Sequence, residues 1–329
     1  MCKIMELINL CKGATVYIQT HNFPDPDAIA SAYGLQKILE SMGIPSWLCY
    51  AGRIDKLSAM KMIETFGIEM YSYDQLCEKM KETDYIVCVD SQKNGGNITD
   101  FIGNEVACID HHSVFADTDY QYSDIRTTGA CATIIAEYYE QLGLEPDINT
   151  ATALLYGIKM DTLQFTRGVT RQDIKMFAFL HPFCDQEKLS RMEHNSMEFA
   201  DLKAYGAAID SIKVYGKEGI CFIPFSCPDG LIGAVSDFIL SLDEVDVAVV
   251  SSVREDGIKI SVRSETVEVH AGHLIRKALE EVGDGGGHAH MAGGLISKEK
   301  LHLLGQFQEH RVKSLFIEAL ACISDHGKE

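Results

Sequence analysis

The 329-residue sequence lacks the features that mark membrane and secreted proteins. No apolar run approaches the ~18 residues that cross a bilayer. The N-terminal segment has no signal-peptide layout, because Glu6 interrupts it early and no small-residue cleavage site follows an apolar core. We therefore expect a cytoplasmic protein with no membrane partner.

Basic residues are also scarce, and no cysteines form a CxxC pair. The chain has 29 lysines and arginines against 48 aspartates and glutamates, which gives a formal net charge of −19. Proteins that grip long nucleic acids generally need a basic surface, so we expect no long nucleic acid as a partner. Eleven scattered cysteines in a chain without a secretion signal predict reduced, mostly buried thiols.

The N-terminal half alternates β-rich runs with helical stretches. The strand candidates are VYIQT (16–20), DYIVCVD (84–90) and EVACID (105–110). The helix candidates are residues 28–44, 129–144 and 150–162. This alternation predicts an α/β domain over residues 1–190, in which a parallel sheet has helices on both faces.

The C-terminal part has a different pattern. We expect a helical linker over 191–212, followed by a smaller mixed α/β domain over 213–329. In that domain, EDGI (255–258) between two apolar runs predicts a hairpin turn. Helices are expected at 231–242 and 271–282.

Acids and histidines end or follow the predicted strands, and one more acid lies at the end of a predicted helix. Because ligands bind beyond the carboxyl ends of strands in open α/β sheets, we expect these side chains to meet at one edge. They are His21, Asp25, Asp27, Asp90, Asp110, His111, His112 and Asp161.

This set of residues predicts a site for two divalent ions that share a bridging carboxylate. So many acids without cations would repel one another strongly. A mixed shell of aspartate and histidine favours Mn²⁺ over Mg²⁺, which prefers oxygen ligands and water. Each motif alone has a plainer explanation, such as a surface turn at PDPD (24–27). Their occurrence together and in order favours the metal site.

Three further signals have structural explanations. Thr170 with Asp173 predicts a helix N-cap close to a capping box. The helix start at 129–130 could offer an additional anion site, but an ordinary cap is the favoured interpretation. His270 and His273 have helical metal-ligand spacing, yet no acids accompany them, so we interpret them as structural or surface residues.

The ordered motifs resemble those of the DHH phosphoesterase superfamily. They are HNFPDPDA (21–28), VD (89–90), DHH (110–112) and DT (161–162). The second half resembles the DHHA1 domain through SVRS (261–264) and GGGH (285–288). The resemblance covers nearly the whole chain and implies an active-site cleft between the two domains. It is greatest for the short two-domain type, which degrades oligoribonucleotides of a few residues and, in some members, dephosphorylates 3′-phosphoadenosine 5′-phosphate (pAp).

The resemblance also implies a ligand set for two Mn²⁺ ions, which Mg²⁺ or Co²⁺ could replace. His21 and Asp25 would bind the first ion, and Asp90 would bridge both. The second ion would be completed by three side chains, which are Asp27, His111 and Asp161.

The remaining site residues would orient groups or bind substrate. Asp110 would orient its neighbours, and His112 would face the scissile phosphate or its leaving group. Arg263 would donate two parallel hydrogen bonds to a phosphate. The backbone N–H groups of the glycines would approach a phosphate closely, because glycine has no side chain. The implied substrate-binding residues are Arg263, Ser264, Gly285, Gly286, Gly287 and His288.

Two positions depart from the commonest family pattern. Pro26 stands where glycine or alanine is frequent, and Ala289 stands where lysine is frequent. We expect the prolines to hold 21–27 as an extended loop whose alternate residues point Asp25 and Asp27 at separate ions. Ala289 removes a cation that would contact phosphate.

The resemblance implies hydrolysis of a short oligonucleotide or nucleotide by metal-activated water. A homodimer, the polarity of attack and the base preference stay open. One alternative is a pyrophosphatase or exopolyphosphatase, which shares the DHH motifs, although SVRS and GGGH argue against a dedicated pyrophosphatase. The other alternative is a nucleotide-binding regulator without turnover, which is disfavoured because every metal ligand of the motifs is present.

Overall fold

The computed structural model describes residues 3–54, 56–114, 118–194 and 197–326. The chain divides into two compact units, residues 1–196 and residues 197–329. The limits expected for the linker, 191–212, stay a prediction. No helix in the described ranges is long and apolar enough to cross a membrane.

The first unit contains a six-stranded sheet in which all neighbouring strands are parallel. The strands are β1 (Val16–Gln19), β2 (Ser46–Tyr50), β3 (Met70–Ser72), β4 (Tyr85–Val89), β5 (Asn104–Asp110) and β6 (Tyr122–Ile125). Their order is β3-β2-β1-β4-β5-β6, so the direction of winding reverses between β1 and β4. The strands β1, β4 and β5 confirm the three predicted from the sequence, and ligand sites of α/β sheets form at such a reversal.

Eight α-helices are described in the first unit. They are α1 (Lys3–Cys11), α2 (Pro26–Ser41), α3 (Leu57–Phe66), α4 (Tyr73–Leu76), α5 (Cys131–Leu142), α6 (Ile148–Asp161), α7 (Arg171–Leu180) and α8 (Gln186–His194). The helices α2, α5 and α6 confirm the predicted ones. Thr170 caps α7 in a capping box with Asp173, also as predicted.

Successive strand residues pack into two separate hydrophobic clusters. Ile18 and Val87 belong to a large core that also contains residues of α2, α5 and α6. Cys88 and Cys108 belong to a smaller cluster, which includes Leu76 of α4. This alternation follows from the period of two along a strand.

Helix α2 approaches α5 and α6 closely because two glycines leave room. A Cβ on Gly34 would lie 2.9 Å from the side chains of both Ile135 and Leu154. A Cβ on Gly157 of α6 would lie 2.8 Å from that of Ala30 in α2. The end of α6 is therefore held tightly against the start of α2.

The second unit contains a mixed six-stranded sheet. Its strands are β7 (Lys213–Tyr215), β8 (Glu218–Ile223), β9 (Val247–Arg254), β10 (Gly257–Ser264), β11 (Asp284–Gly287) and β12 (Met291–Ser297). The order is β11-β12-β10-β9-β8-β7, and β8 with β9 is its parallel pair. Strands β9 and β10 join through Glu255 and Asp256, which confirms the predicted hairpin.

The helices of the second unit are α9 (Leu202–Ser211), α10 (Asp229–Leu240), α11 (Ala271–Leu279) and α12 (Gln308–His326). Helices α10 and α11 lie within three residues of the limits predicted at both ends. The ten cysteines of the described ranges are free thiols, and seven of them are buried, as the sequence predicts.

Candidate metal centre

Three neighbouring strands and two helices bring the expected metal-site residues together. His21 lies two residues beyond β1, Asp90 follows β4 directly, and Asp110 is the last residue of β5. Strands β1, β4 and β5 are adjacent at the centre of the sheet. The start of α2 and the end of α6 supply the remaining carboxylates, Asp25, Asp27 and Asp161.

The segment at 24–27 differs from the extended loop expected above, so that prediction is wrong. Helix α2 begins at Pro26, and Asp25 is its N-cap. The Asp25 Oδ1 accepts hydrogen bonds from the backbone N–H groups of Asp27 at 3.1 Å and Ala28 at 3.3 Å. Proline suits the first helical position, where its missing N–H has no partner to lose. Asp25 therefore occupies the N-cap of α2 and Asp27 lies in its first turn. This difference in position separates the two carboxylates.

The first group of potential ligands is His21, Asp25 and Asp90. The Nε2 atom of His21 lies 3.8 Å from Asp25 Oδ1 and 3.6 Å from Asp90 Oδ2. Lys56 adds a cation at 3.5 Å from the other Asp25 oxygen. Against the burial that raises it, Lys56 and His21 hold the pKa of Asp25 well below its ordinary value.

A second group surrounds His111. Its Nε2 atom lies 3.3 Å from Asp90 Oδ1 and 3.5 Å from Asp161 Oδ2. It also lies 3.9 Å from Asp27 Oδ2. The two oxygens of Asp90 therefore face different groups, which is the arrangement that a bridging carboxylate requires.

Both histidines present Nε2 to the carboxylates because Nδ1 is bound elsewhere. The carbonyl oxygen of Thr128 accepts from His111 Nδ1 at 3.1 Å, and that of Asn22 accepts from His21 Nδ1 at 2.7 Å. A carbonyl can only accept, so the proton sits on Nδ1 in each neutral ring. This hydrogen bond leaves the Nε2 lone pair available to a metal ion.

Asp90 shows most clearly that the site suits a cation. Its Oδ1 atom is buried and accepts no hydrogen bond from any residue in the described ranges. Its backbone has a φ of 57°, in the left-handed region that costs a non-glycine residue energy. A buried carboxylate oxygen that accepts no hydrogen bond is costly, and a divalent ion would satisfy it.

The pKa shifts show the same excess of negative charge. Burial lowers the pKa of His111, but Asp90 and Asp27 outweigh burial and raise it to about 11. Burial also lowers the pKa of His21, whereas Asp25 and Asp90 raise it to about 9. Burial and the nearby Asp90 raise the pKa of Asp27 well above its ordinary value. Cations bound here would relieve the repulsion that causes these shifts.

Asp110 holds the two histidines of the DHH run and is itself fully buried. Its Oδ1 accepts from the backbone N–H of His111 at 2.8 Å and from His112 Nδ1 at 2.8 Å. Its Oδ2 accepts from Gln92 Nε2 at 2.7 Å. Burial raises the pKa of Asp110, but these contacts with His112 and Gln92 bring it below its ordinary value. Asp110 therefore orients its neighbours.

Gln92 and Lys56 were missed by the sequence analysis. Gln92 also donates to the Ser113 carbonyl at 3.1 Å, which ties the turn after Asp90 to the segment after the DHH run. Neither residue belongs to a recognisable spacing pattern. Only the strand order of the folded sheet brings Gln92 to Asp110, 18 residues away.

The predicted substrate-binding residues all lie in the second unit. The Arg263 Nε donates to Asp237 Oδ1 at 2.6 Å, and Nη1 donates to Ser261 Oγ at 3.0 Å. Ser264 is buried, and its Oγ donates to the Thr266 carbonyl at 3.2 Å. The internal bonds hold Arg263 in one orientation, and its contact with phosphate stays a prediction.

The glycine run 285–287 forms most of β11, at the edge of the sheet. Gly287 has a φ of 154°, and a Cβ there would lie 2.4 Å from the Met291 carbonyl oxygen. His288 is exposed in the following turn, where its backbone N–H donates to the same oxygen at 2.8 Å. Gly287 is thus required by the hairpin itself, and the roles of 285–288 towards substrate stay predictions.

His270 has the structural role expected. It caps helix α11, and its Nδ1 accepts from the backbone N–H of His273 at 3.2 Å. The two rings stack with centroids 4.0 Å apart.

Two family sequence models match the chain. The DHH family, N-terminal domain, matches residues 15–158, and the DHHA1 domain matches residues 218–314.

The curated relatives come from archaea and bacteria. The uncharacterized protein MJ0988 of Methanocaldococcus jannaschii is 30% identical over 88% of this chain and 89% of its own. The uncharacterized protein MJ1633 of the same organism is 28% identical over 90% of this chain, which spans 60% of that protein's length. The bifunctional oligoribonuclease and PAP phosphatase NrnA of Thermus thermophilus is 24% identical over 89% of this chain and 87% of its own. A manganese-dependent inorganic pyrophosphatase of M. jannaschii is 26% identical over 74% of this chain and 76% of its own.

Among solved structures, an exopolyphosphatase-related protein from Bacteroides fragilis shares the fold with a TM-score of 0.80. It is 20% identical, and the match covers 99% of this chain and 98% of that one. The two domain matches and the 30% identical relative together show that the chain belongs to the DHH–DHHA1 phosphoesterase superfamily.

Proposed function

We propose that the protein is a Mn²⁺-dependent phosphoesterase that hydrolyses dinucleotides and short oligoribonucleotides, and also pAp. The observation that supports this most strongly is Asp90, whose two oxygens face separate ligand groups while Oδ1 accepts no hydrogen bond from a described residue. The similarity to NrnA over 89% of the chain supports the substrate class.

The first ion would be held by His21, Asp25 and Asp90, on the side of Asp90 Oδ2. The second would be held by Asp27, Asp90, His111 and Asp161, on the side of Asp90 Oδ1. When bound, two divalent ions supply a hydroxide nucleophile near neutral pH and neutralise phosphate charge.

His112 is the group best placed to move a proton. Its Nδ1 is fixed on Asp110 Oδ1 at 2.8 Å, which sets the orientation of the ring, and its Nε2 would contact a substrate oxygen. Burial lowers the pKa of His112, but its bond to Asp110 and the nearby Asp90 raise it above the ordinary value. A protonated His112 could give its Nε2 proton to the leaving oxygen, as general acids do. Arg263 and the 285–288 segment would bind the distal phosphate or terminal nucleotide.

The test is a substrate panel with Mn²⁺, read by product chromatography. We expect cleavage of the dinucleotide pApA and of pAp, and loss of at least ~10³-fold in rate when Asp90→Asn removes the bridging charge. The matched control is Asp147→Asn, because Asp147 caps the far end of α6 and contacts no member of either ligand group.

Two results would contradict the proposal. Cleavage of pyrophosphate or polyphosphate in preference to pApA and pAp would favour the pyrophosphatase alternative. Nucleotide binding with no Mn²⁺-dependent product would favour a regulator without turnover.

A further inference from the structure

Two buried carboxylates hold the amino end of α5. Asp27 accepts from the backbone N–H groups of Cys131 at 2.7 Å and Ala132 at 2.9 Å. Asp173 accepts from the backbone N–H of Gly129, at 3.1 Å and 2.9 Å to its two oxygens. The additional anion site considered for 129–130 is thus filled by the protein's own acids, as a helix N-terminus favours.

Asp173 accepts more hydrogen bonds than the capping box of α7 requires. It is fully buried and accepts from the backbone N–H of Thr170 at 2.6 Å and from its Oγ1 at 2.7 Å. The first of these contacts, together with the hydrogen bond from the Asp173 backbone N–H to Thr170 Oγ1 at 3.4 Å, forms the capping box of α7. The contacts with Gly129 and with Thr133 Oγ1, at 2.5 Å, instead reach 44 and 40 residues back along the chain.

The segment that Asp173 holds is in contact with two expected metal ligands. The Thr128 carbonyl fixes the ring of His111 through Nδ1, and the amides of 131–132 fix both oxygens of Asp27. A shift of segment 128–132 would therefore move His111 and Asp27 together.

Gly129 leaves this segment no room to adjust. A Cβ there would lie 2.6 Å from Thr162 Cγ2 and 2.7 Å from Asp173 Oδ2. Thr162 directly follows Asp161, a third expected ligand of the same ion. Segment 128–132 is thus confined between the carboxylate of Asp173 and Thr162, the residue next to Asp161.

We propose that Asp173 is a positioning residue for the second ion, acting through segment 128–132 on His111 and Asp27. This inference rests on the proposed function, since it assumes that these residues bind a metal. Partners that orient metal ligands contribute about 10- to 100-fold to metal affinity.

The test compares Asp173→Asn with Asp147→Asn. Asp147 is the N-cap of α6 in the same unit, and it accepts from the backbone N–H groups of Asn149 at 2.9 Å and Thr150 at 3.1 Å. Asparagine can keep a cap contact in both variants. A merely structural role for Asp173 predicts a loss of thermal stability like that of the control and unchanged metal binding.

The measurement is a Mn²⁺ titration by calorimetry, with thermal melting of the same samples. In Asp173→Asn we expect one of two Mn²⁺ sites to weaken by about 10- to 100-fold while the other keeps its affinity. Asp147→Asn should retain both affinities. Thr133→Val removes only one donor to Asp173 and should weaken the same site several-fold, so the test holds even if Asp173→Asn fails to fold.

If Asp173→Asn folds and binds Mn²⁺ with wild-type affinity, the positioning role is overturned and the proposed function is unaffected. If Asp173→Asn does not fold, wild-type Mn²⁺ affinity in Thr133→Val has the same meaning. Equal weakening in Asp147→Asn would overturn the positioning role as well. Absence of Mn²⁺ binding in the wild-type protein would overturn both.

Discussion

At the residue scale, the orientation of each functional group is fixed by its backbone or by hydrogen bonds to its neighbours. Asp90 is set by its left-handed backbone, and His21 and His111 are each set by a carbonyl bonded to Nδ1. Asp110 is set by Gln92 on one oxygen and His112 on the other. Such preorganisation is what a metal centre requires of its surroundings.

His21 gives the metal-free protein a specific pH dependence. Its pKa of about 9 lies above the ordinary 6.5, so its stabilising charge is fully present below pH 6.5 and lost as the pH rises through 9. We therefore expect the melting temperature of EDTA-treated protein to fall between pH 6.5 and 9. Each kcal/mol lost corresponds to about 2–4 °C.

The Mn²⁺-loaded protein serves as the control, because an ion bound to His21 would replace the proton on Nε2. Its melting temperature should change less over the same range, and Mn²⁺ affinity should rise with pH as fewer protons compete. Parallel melting curves for the two forms would show that His21 is not a ligand.

The sequence predicted which residues meet at the site but only some of the bonds between them. The motifs identified His21, Asp90 and the DHH run because each lies at the end of a β-strand pattern or shortly after it. Gln92 and the second role of Asp173 could not be predicted, since both depend on contacts between distant segments that leave no local pattern.

At the element scale, strands β1, β4 and β5 and helices α2, α5 and α6 were predicted from periodicity and capping. Strands β2, β3 and β6 were not, because runs of three to five residues carry too little alternation to identify. The start of α2 was placed two residues late, at Ala28, because Pro26 was taken for a loop residue. An aspartate at the N-cap and a proline at the first helical position explain the earlier start.

The contact between α2 and α6 makes Gly157 a sensitive position. Gly157→Ala would place a Cβ 2.8 Å from Ala30 and 3.3 Å from Asp27 Oδ1, so α6 must move away from α2. We expect about 1–3 kcal/mol of destabilisation and weaker Mn²⁺ binding, because Asp161 at the end of α6 moves with the helix.

Gly206→Ala provides a matched control, since Gly206 lies inside α9 and a Cβ there would meet nothing within 4 Å. That variant should be more stable by about 0.4–1 kcal/mol and should bind Mn²⁺ normally. Urea unfolding and Mn²⁺ titration of both variants measure the difference. Unchanged Mn²⁺ affinity in Gly157→Ala would show that the helix contact does not set the ligand geometry.

At the scale of the whole molecule, two units with separate hydrophobic cores carry the two halves of the expected chemistry. The first contains the candidate ligands, and the second contains Arg263 and the 285–288 segment. The formal net charge of −19 disfavours the approach of free phosphate at long range. Cations held by the candidate ligands would offset this repulsion at the site.

The most direct test of the two-ion site is anomalous X-ray diffraction from crystals grown with Mn²⁺. Two anomalous peaks are predicted in the first unit, one beside Asp90 Oδ2 with His21 and Asp25, the other beside Asp90 Oδ1 with His111 and Asp161. A single peak, or peaks that do not contact Asp90, would contradict a carboxylate-bridged pair of ions.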